Sequence, residues 1–176
     1  KLAKLRQEIQ TLTVSLTTES PDLRGFENIE TLTLLILDDT TPDLSNFGTL
    51  PTLKTLKLNG GGWNSTGQLL SLNGLDAPSL EEVRLNGAGL VEVEAFSKSP
   101  LLKTLDLSEN KKLSSLEGIS ASAATLVSLN LQKCETLESI EPVGDLTHLK
   151  EIYLADCASL KSVEALGKIK NLTKLT

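Results

Sequence analysis

The sequence predicts a solenoid of the α/β class, shaped as a right-handed horseshoe. A parallel β-sheet is expected on its concave face, with loops and 3-10 or short helical turns on its convex face. Three observations predict this architecture: 38 of the 176 residues are Leu, apolar residues recur about every 23 residues, and each recurrence carries the same spacing. One such unit cannot bury its own apolar face, so neighbouring units must stack.

The repeat is clearest near the end of the chain. Apolar residues stand at positions 149, 152, 154, 157, 160, 163, 166 and 169. Each of them is matched by an apolar residue 23 positions earlier. The same comparison predicts repeats that begin at 9, 32, 53, 80, 102, 126 and 149, with a partial one at 172. The first, fourth and sixth residues of the seven full repeats are apolar in all 21 cases.

These repeats set the expected domain organisation. Residues 9–176 are predicted to form one solenoid, and residues 1–8 are either the end of a preceding repeat or an N-terminal cap. The last repeat stops inside a strand, which would leave apolar core uncovered. We therefore expect the chain to be a fragment of a longer protein.

The spacing L-x-x-L-x-L predicts one short strand in each repeat. Side chains alternate between the two faces of a strand, so the fourth and sixth residues point to the core and the third, fifth and seventh to the concave face. Apolar residues three apart later in the repeat suit 3-10 turns. A polar residue at the ninth position, such as Asn110, can satisfy backbone groups of the buried loop.

The pattern L-x-x-L-x-L-x-x-(N/C)-x-x-L resembles that of the leucine-rich repeat family and covers nearly the whole chain. Cys134 and Cys157 at the ninth position resemble the Cys-containing repeats of intracellular members, whose repeats have about 22–24 residues. The resemblance implies a scaffold that presents a rigid concave surface to a partner protein, either a domain or a peptide. It also implies a cytoplasmic location, with the cytoskeleton as one setting, and no cofactor.

Composition narrows the function classes further. The 23 acidic and 17 basic residues give a net charge of −6, which argues against nucleic acid as a partner. No apolar run reaches the ~18–20 residues of a membrane span. One His and scattered carboxylates leave little for catalysis, so no enzyme is predicted. Two alternatives stay open, namely a receptor or innate-immune-type sensor that recognises a ligand, and homotypic assembly or a cytoskeletal scaffold.

Partner-binding residues are predicted on the concave face. In the phase given above, Leu34 and Ile36 face solvent, and adjacent exposed aliphatics often mark an interaction site; otherwise they pack against a loop or a cap. Tyr153, the sole Tyr, is a candidate interface anchor. The predicted set is Leu34, Ile36, Asp38, Lys57, Arg84, Asp106, Asn130 and Tyr153.

Charge is ordered along the same face. Lys57, Arg84 and Asp106 are expected on neighbouring strands. They form either a network of cross-strand ion pairs, each worth little, or a polar rim that orients a partner.

The stretch NGGGWNSTGQ at 59–68 lengthens the third repeat and contains the only Trp, Trp63. Loops on a rigid scaffold often carry function, so Trp63 is a candidate loop contact. Alternatively, Trp63 folds back over the edge of the solenoid and fills the gap at Gly61. The glycines do not make a phosphate loop, because no Lys-Ser/Thr pair follows them.

Cys134 and Cys157 occupy equivalent positions in adjacent repeats. A disulfide or a two-ligand metal site is conceivable, but zinc usually needs four ligands and no CxxC or His partner is present. Buried free thiols are the favoured interpretation, and they fit a reducing compartment. The lone His148 is expected on the surface.

Overall fold

The computed structural model describes residues 2–17, 21–36, 42–59 and 68–176. Within these ranges a single open sheet of eight strands runs in sequence order, and every neighbouring pair is parallel. This architecture confirms the predicted solenoid. The strands are β1 (Thr11–Leu16), β2 (Thr31–Ile36), β3 (Thr55–Asn59), β4 (Glu82–Arg84), β5 (Thr104–Asp106), β6 (Ser128–Asn130), β7 (Glu151–Tyr153) and β8 (Lys174–Leu175).

The core consists of apolar columns that run across the strands. The register pairs Val83 with Leu105 and Leu105 with Leu129, so the fourth residue of each repeat stacks on the fourth residue of the next. All three side chains are fully buried. Full burial of one such side chain contributes about 1.5–3 kcal/mol, and each column repeats that gain at every rung.

In the last four full repeats the returning side of the solenoid is built from short 3-10 helices. One follows each of the strands β4 to β7, and the four helices are Glu94–Lys98, Ile119–Ser122, Glu141–Asp145 and Glu164–Lys168. Side chains three apart eclipse one another in a 3-10 helix, which is why Ile140, Val143 and Leu146 all point into the core. The prediction of 3-10 turns on this side is confirmed.

The second repeat differs in phase from the sequence prediction. β2 pairs Leu32 with Leu12 of β1 and with Leu56 of β3, and both partners are fourth-position residues. Leu32 is therefore the fourth residue of its repeat, which begins at Ile29 rather than at 32. The predicted start was wrong because Ile-x-x-Leu-x-Leu from 29 and Leu-x-x-Leu-x-Leu from 32 fit the apolar pattern equally well.

Residues 2–8 form the helix α1 (Leu2–Glu8), which lies against the first repeat. The Asn28 side-chain amide donates to the Gln7 carbonyl oxygen at 2.6 Å. The Arg6 guanidinium lies 5.4 Å from the centre of the Phe26 ring. These two contacts tie the helix to the turn that leads into β2.

The chain leaves the strands β4 to β7 through a left-handed bend at the eighth position. Gly87, Glu109, Lys133 and Asp156 stand at this position in four successive repeats, with φ between 60° and 65°. A non-glycine residue pays roughly 1–2 kcal/mol for this conformation. The same bend persists with four different side chains, so the stacking of the repeats imposes it.

Two glycines with positive φ provide a test of the packing between repeats. Gly74→Ala would place a Cβ 2.4 Å from the Leu44 carbonyl oxygen, whereas Gly87→Ala would meet nothing within 4 Å. Both variants pay the left-handed backbone cost, about 1–2 kcal/mol, but only Gly74→Ala must also push the second and third repeats apart. We expect urea unfolding to show a clearly larger loss of stability for Gly74→Ala. Equal losses would contradict the close approach at Gly74.

Candidate functional site

The concave face carries the third-, fifth- and seventh-position side chains of the strands. The third-position column is mostly small and polar, with Thr11, Thr31, Thr55, Glu82, Thr104, Ser128, Glu151 and Lys174. The fifth-position column is more varied and includes charged, amide and aromatic side chains, with Thr13, Thr33, Lys57, Arg84, Asp106, Asn130 and Tyr153. Five of the eight predicted partner-binding residues therefore lie in one column.

The prediction that Leu34 and Ile36 face solvent is wrong. Their side chains are 0% and 3% exposed and belong to the core. The cause is the shifted phase of the second repeat, which turns even-numbered residues of β2 inward. The residue between them, Leu35, pairs with Asn59 and is the half-buried aliphatic on the concave face.

A signal in the sequence could have set the phase correctly. The tripeptide Thr-Leu-Thr occurs at 11–13 and again at 31–33, and these two copies pair residue by residue. Aligning them puts Leu32 opposite Leu12. The other two predicted residues, Asp38 and the loop residue Trp63, lie outside the described residues.

The structure brings Lys57 and Arg84 together on neighbouring strands, where they pair directly in the register. They line a cleft of about 230 Å³, which we call the basic cleft. Arg84 Nε lies 2.6 Å from Glu82 Oε1 on the same strand. The full lining is Thr33, Lys57, Leu58, Asn59, Arg84 and Asn86.

Lys57 differs from its neighbours because its side chain has no counter-charge. It is half-buried, and in the part of the chain that the structure describes it makes no ion pair or hydrogen bond. Asn59 and Asn86 were not singled out from the sequence. They lie beside Lys57 because the seventh-position residues of β3 and of the fourth repeat border the same cleft.

Asp106 and Asn130 use their side chains locally instead. Asp106 Oδ1 accepts the Ser108 backbone N–H at 3.0 Å and the Ser108 hydroxyl at 2.7 Å. Asn130 Oδ1 accepts the Gln132 backbone N–H at 3.1 Å. Such turns fix the backbone where a strand ends. Ion pairs between neighbouring repeats lie outside this column. They join second-position residues in Lys54–Glu30 and Lys103–Glu81, and eighth-position residues in Lys133–Glu109.

Tyr153 is held at the far end of the same column. Its hydroxyl donates to Glu151 Oε2 at 2.9 Å, and Lys174 Nζ lies 4.8 Å from the centre of its ring. The ring is half-buried, with one side on β8. A rigid aromatic in this state suits an interface anchor, and its role in partner binding stays a prediction.

The ninth-position ladder takes the form that the sequence predicts. Buried Asn110 donates from Nδ2 to the carbonyl oxygens of Leu85 at 2.9 Å and Leu107 at 2.8 Å, and Oδ1 accepts the Leu90 N–H at 2.9 Å. One side chain thus satisfies three backbone groups from two repeats. The next rungs are Cys134, whose Sγ donates to the Leu107 carbonyl at 3.3 Å, and Cys157, whose Sγ donates to the Leu131 carbonyl at 3.0 Å.

Both cysteines are free thiols, as predicted. Burial raises the pKa of Cys134 to about 12 and also raises the pKa of half-buried Cys157. A raised pKa keeps the thiol protonated, so that it can act as a donor in the ladder. Within the described ranges, no group of three or more His, Cys, Asp or Glu side chains could hold a metal ion.

A second ladder was missed at the sequence level. It lies where the chain enters each strand, and its donors bond to a carbonyl one repeat back: Thr52 to Glu27 at 2.8 Å, Ser79 to Pro51 at 2.6 Å, Thr125 to Pro100 at 2.9 Å, Thr147 to Ala123 at 3.2 Å and Asn171 to Thr147 at 2.8 Å. For Thr52, Ser79, Thr125 and Asn171 the sequence signal is a Ser, Thr or Asn directly before the first apolar residue of a repeat, whereas Thr147 lies one residue further back. His148 occupies that place in the seventh repeat and is exposed, as expected.

Comparison with known proteins adds the fold assignment. No family model matches the chain, and neither does any curated protein. Among solved structures, an internalin (inlF) from Listeria monocytogenes is similar at a TM-score of 0.68 and 21% identity, over 98% of this chain and 48% of the internalin. The leucine-rich repeat domain of the type III effector XopL is similar at a TM-score of 0.60 and 19% identity, over 99% of this chain and 70% of that domain.

The chain is a leucine-rich repeat solenoid. The sequence resemblance to this kind of repeat is thereby confirmed at the level of the fold. This leucine-rich repeat solenoid spans about half the length of the internalin chain it matches. None of its helices in the described ranges has the length and apolar character needed to cross a membrane.

The ladder yields a prediction at Asn110. Asn110→Ala leaves the Leu90 N–H without its acceptor and removes one donor each from the Leu85 and Leu107 carbonyls. A buried group left unsatisfied costs about 1–3 kcal/mol. We expect a loss of about 2–4 kcal/mol in the free energy of unfolding, measured with urea. Asn110→Cys should lose less, because a thiol at this rung can still donate to the Leu85 carbonyl as Cys134 does to Leu107. Identical losses for Ala and Cys would argue against the ladder.

The thiols yield a second prediction, tested with a chromogenic disulfide reagent. Two thiols should react in unfolded protein without prior reduction. In the folded protein Cys134 should react at least about tenfold more slowly than Cys157, because it is fully buried and its raised pKa leaves little reactive thiolate. The matched variants Cys134→Ala and Cys157→Ala assign the two rates. Fast reaction of the Cys157→Ala variant would contradict the burial of Cys134.

Proposed function

We propose that this solenoid is a non-catalytic protein-binding module that docks a partner protein on its concave face. The observation that carries the proposal is a rigid face on which the Lys57 side chain and the Tyr153 ring are accessible to a partner. Every strand is paired on the sheet, and two ladders tie the loops of successive repeats. Lys57 and the ring of Tyr153 stand on that fixed surface with no role in either ladder.

Rigidity is the main physical support for this proposal. A surface that is already ordered pays little conformational entropy on binding. Eight strands about 4.8 Å apart span roughly 34 Å, and a standard interface needs about 800 Å² on each partner. The face is therefore large enough for a protein domain or an extended peptide.

The chemistry of the face favours a protein partner over nucleic acid, since the net charge of −6 opposes a phosphate backbone. Two free thiols support a reducing compartment, and we propose a cytoplasmic location on that basis. Similarity to repeat domains of an internalin and of an effector supports a binding role.

The docking face can be tested with a binding partner selected against the purified chain. Tyr153→Ala and Ser128→Arg alter the concave face at β7 and β6, and Ser120→Arg is a matched control on the 3-10 side. We expect the two concave variants to weaken binding at least about tenfold, the effect of losing one anchor worth about 1.4 kcal/mol. The control should change the dissociation constant less than twofold.

Circular dichroism must show that all three variants are folded. Loss of binding by Ser120→Arg alone would move the docking surface to the 3-10 side and overturn the proposal.

A further inference from the structure

The basic cleft holds a cation whose charge is unbalanced. Most ammonium groups in the described ranges have a partner, as in Lys103–Glu81 at 2.6 Å and Lys133–Glu109 at 2.8 Å. Besides Lys57, the lysines there without an ion pair, hydrogen bond or ring contact are exposed, namely Lys98, Lys150 and Lys170. Lys57 alone among them is half-buried, and its ammonium group has no counter-ion among the described residues.

The neighbours of Lys57 add donors that are also unused. In the described part of the chain, the side-chain amides of Asn59 and Asn86 make no hydrogen bond, and both border the cleft. Arg84 forms an ion pair with Glu82, and its guanidinium has five N–H donors. The cleft therefore collects several N–H donors around one unpaired ammonium group.

We propose that the basic cleft binds the carboxylate of an Asp or Glu side chain presented by the partner protein. This inference rests on the proposed function and names the chemistry that one part of the face recognises. Ammonium and guanidinium donors form charge-assisted hydrogen bonds with a carboxylate that are about twice as strong as neutral ones. The anion would also relieve the unbalanced charge of Lys57.

Charge selects a carboxylate over a phosphate group. Lys57 and Arg84 are the charged residues of the lining. Arg84 is paired with Glu82 on its own strand, so Lys57 supplies the one positive charge of the lining without a partner. One carboxylate balances that charge, whereas a phosphate group carries about −1.5 to −2.

The size and floor of the cleft select a side chain over a free metabolite. Its volume of about 230 Å³ is below the ~300–1,000 Å³ of typical small-molecule pockets. Leu58 is half-buried in the cleft wall, while the equivalent Leu85 and Leu107 are fully buried. Leu58 thus offers an apolar surface to the methylene groups that precede a side-chain carboxylate.

The inference can be tested with synthetic peptides and the full chain. The probes are three 12-residue Gly-Ser peptides that carry a central Glu-Leu-Glu, Gln-Leu-Gln or phosphoSer-Leu-phosphoSer. Binding is followed by NMR titration of the Asn59 and Asn86 side-chain amide signals, which detects weak complexes. The variants are Lys57→Gln, which removes the ammonium, and Lys98→Gln, a matched loss of one exposed unpaired charge.

We expect the Glu peptide to shift both amide signals, with a dissociation constant at least tenfold lower than that of the Gln peptide. Lys57→Gln should raise the constant for the Glu peptide at least tenfold, and Lys98→Gln less than twofold. Equal effects of the two lysine variants, tighter binding of the phosphoSer peptide, or no shift with the Glu peptide would each overturn the inference.

The outcomes separate this inference from the proposed function. If Tyr153→Ala and Ser128→Arg weaken the selected partner while the Glu peptide fails, the concave face still docks a protein and only the carboxylate site is rejected. If the Glu peptide binds as expected while those concave variants have no effect, the carboxylate site stands and the docking proposal falls.

Discussion

The structure depends on the stacking of equivalent apolar residues from one repeat on those of the next. Leu105 lies between Val83 and Leu129 in the register, and the same arrangement recurs along the other columns. No repeat has a core of its own, so stability belongs to the contacts between neighbours. The parallel sheet, the 3-10 side and the two ladders follow from holding consecutive repeats in one register.

The two ladders of hydrogen bonds satisfy the backbone groups that this stacking buries. Stacking buries loop backbone that has no strand partner, and an unpaired buried group is costly. Asn110, Cys134 and Cys157 meet this need inside the loop, and Thr52 and its equivalents meet it at the strand entrance. Polar residues used in this way are unavailable to a ligand, whereas Lys57 in the fifth-position column has no such bond among the described residues.

The apolar period made the fold predictable, because seven repeats average out local ambiguity. A single repeat offers no such averaging, and the run from Leu34 to Leu37 admits two phases. That ambiguity placed Leu34 and Ile36 on the wrong side. Lys57 and Arg84 could be assigned to neighbouring strands from spacing alone, but the cleft between them could not, because it depends on the incomplete burial of Leu58 and on the local pairing of Arg84 with Glu82.

The left-handed bend at Gly87, Glu109, Lys133 and Asp156 has a consequence for how such a molecule can evolve. In these four repeats the bend keeps nearly the same angle whichever residue it carries, so they behave as interchangeable modules of constant pitch. Duplication or loss of one module would lengthen or shorten the concave face by a fixed step of about 4.8 Å. The length of the concave face can thus change by one repeat at a time, while the side chains of the remaining repeats stay the same.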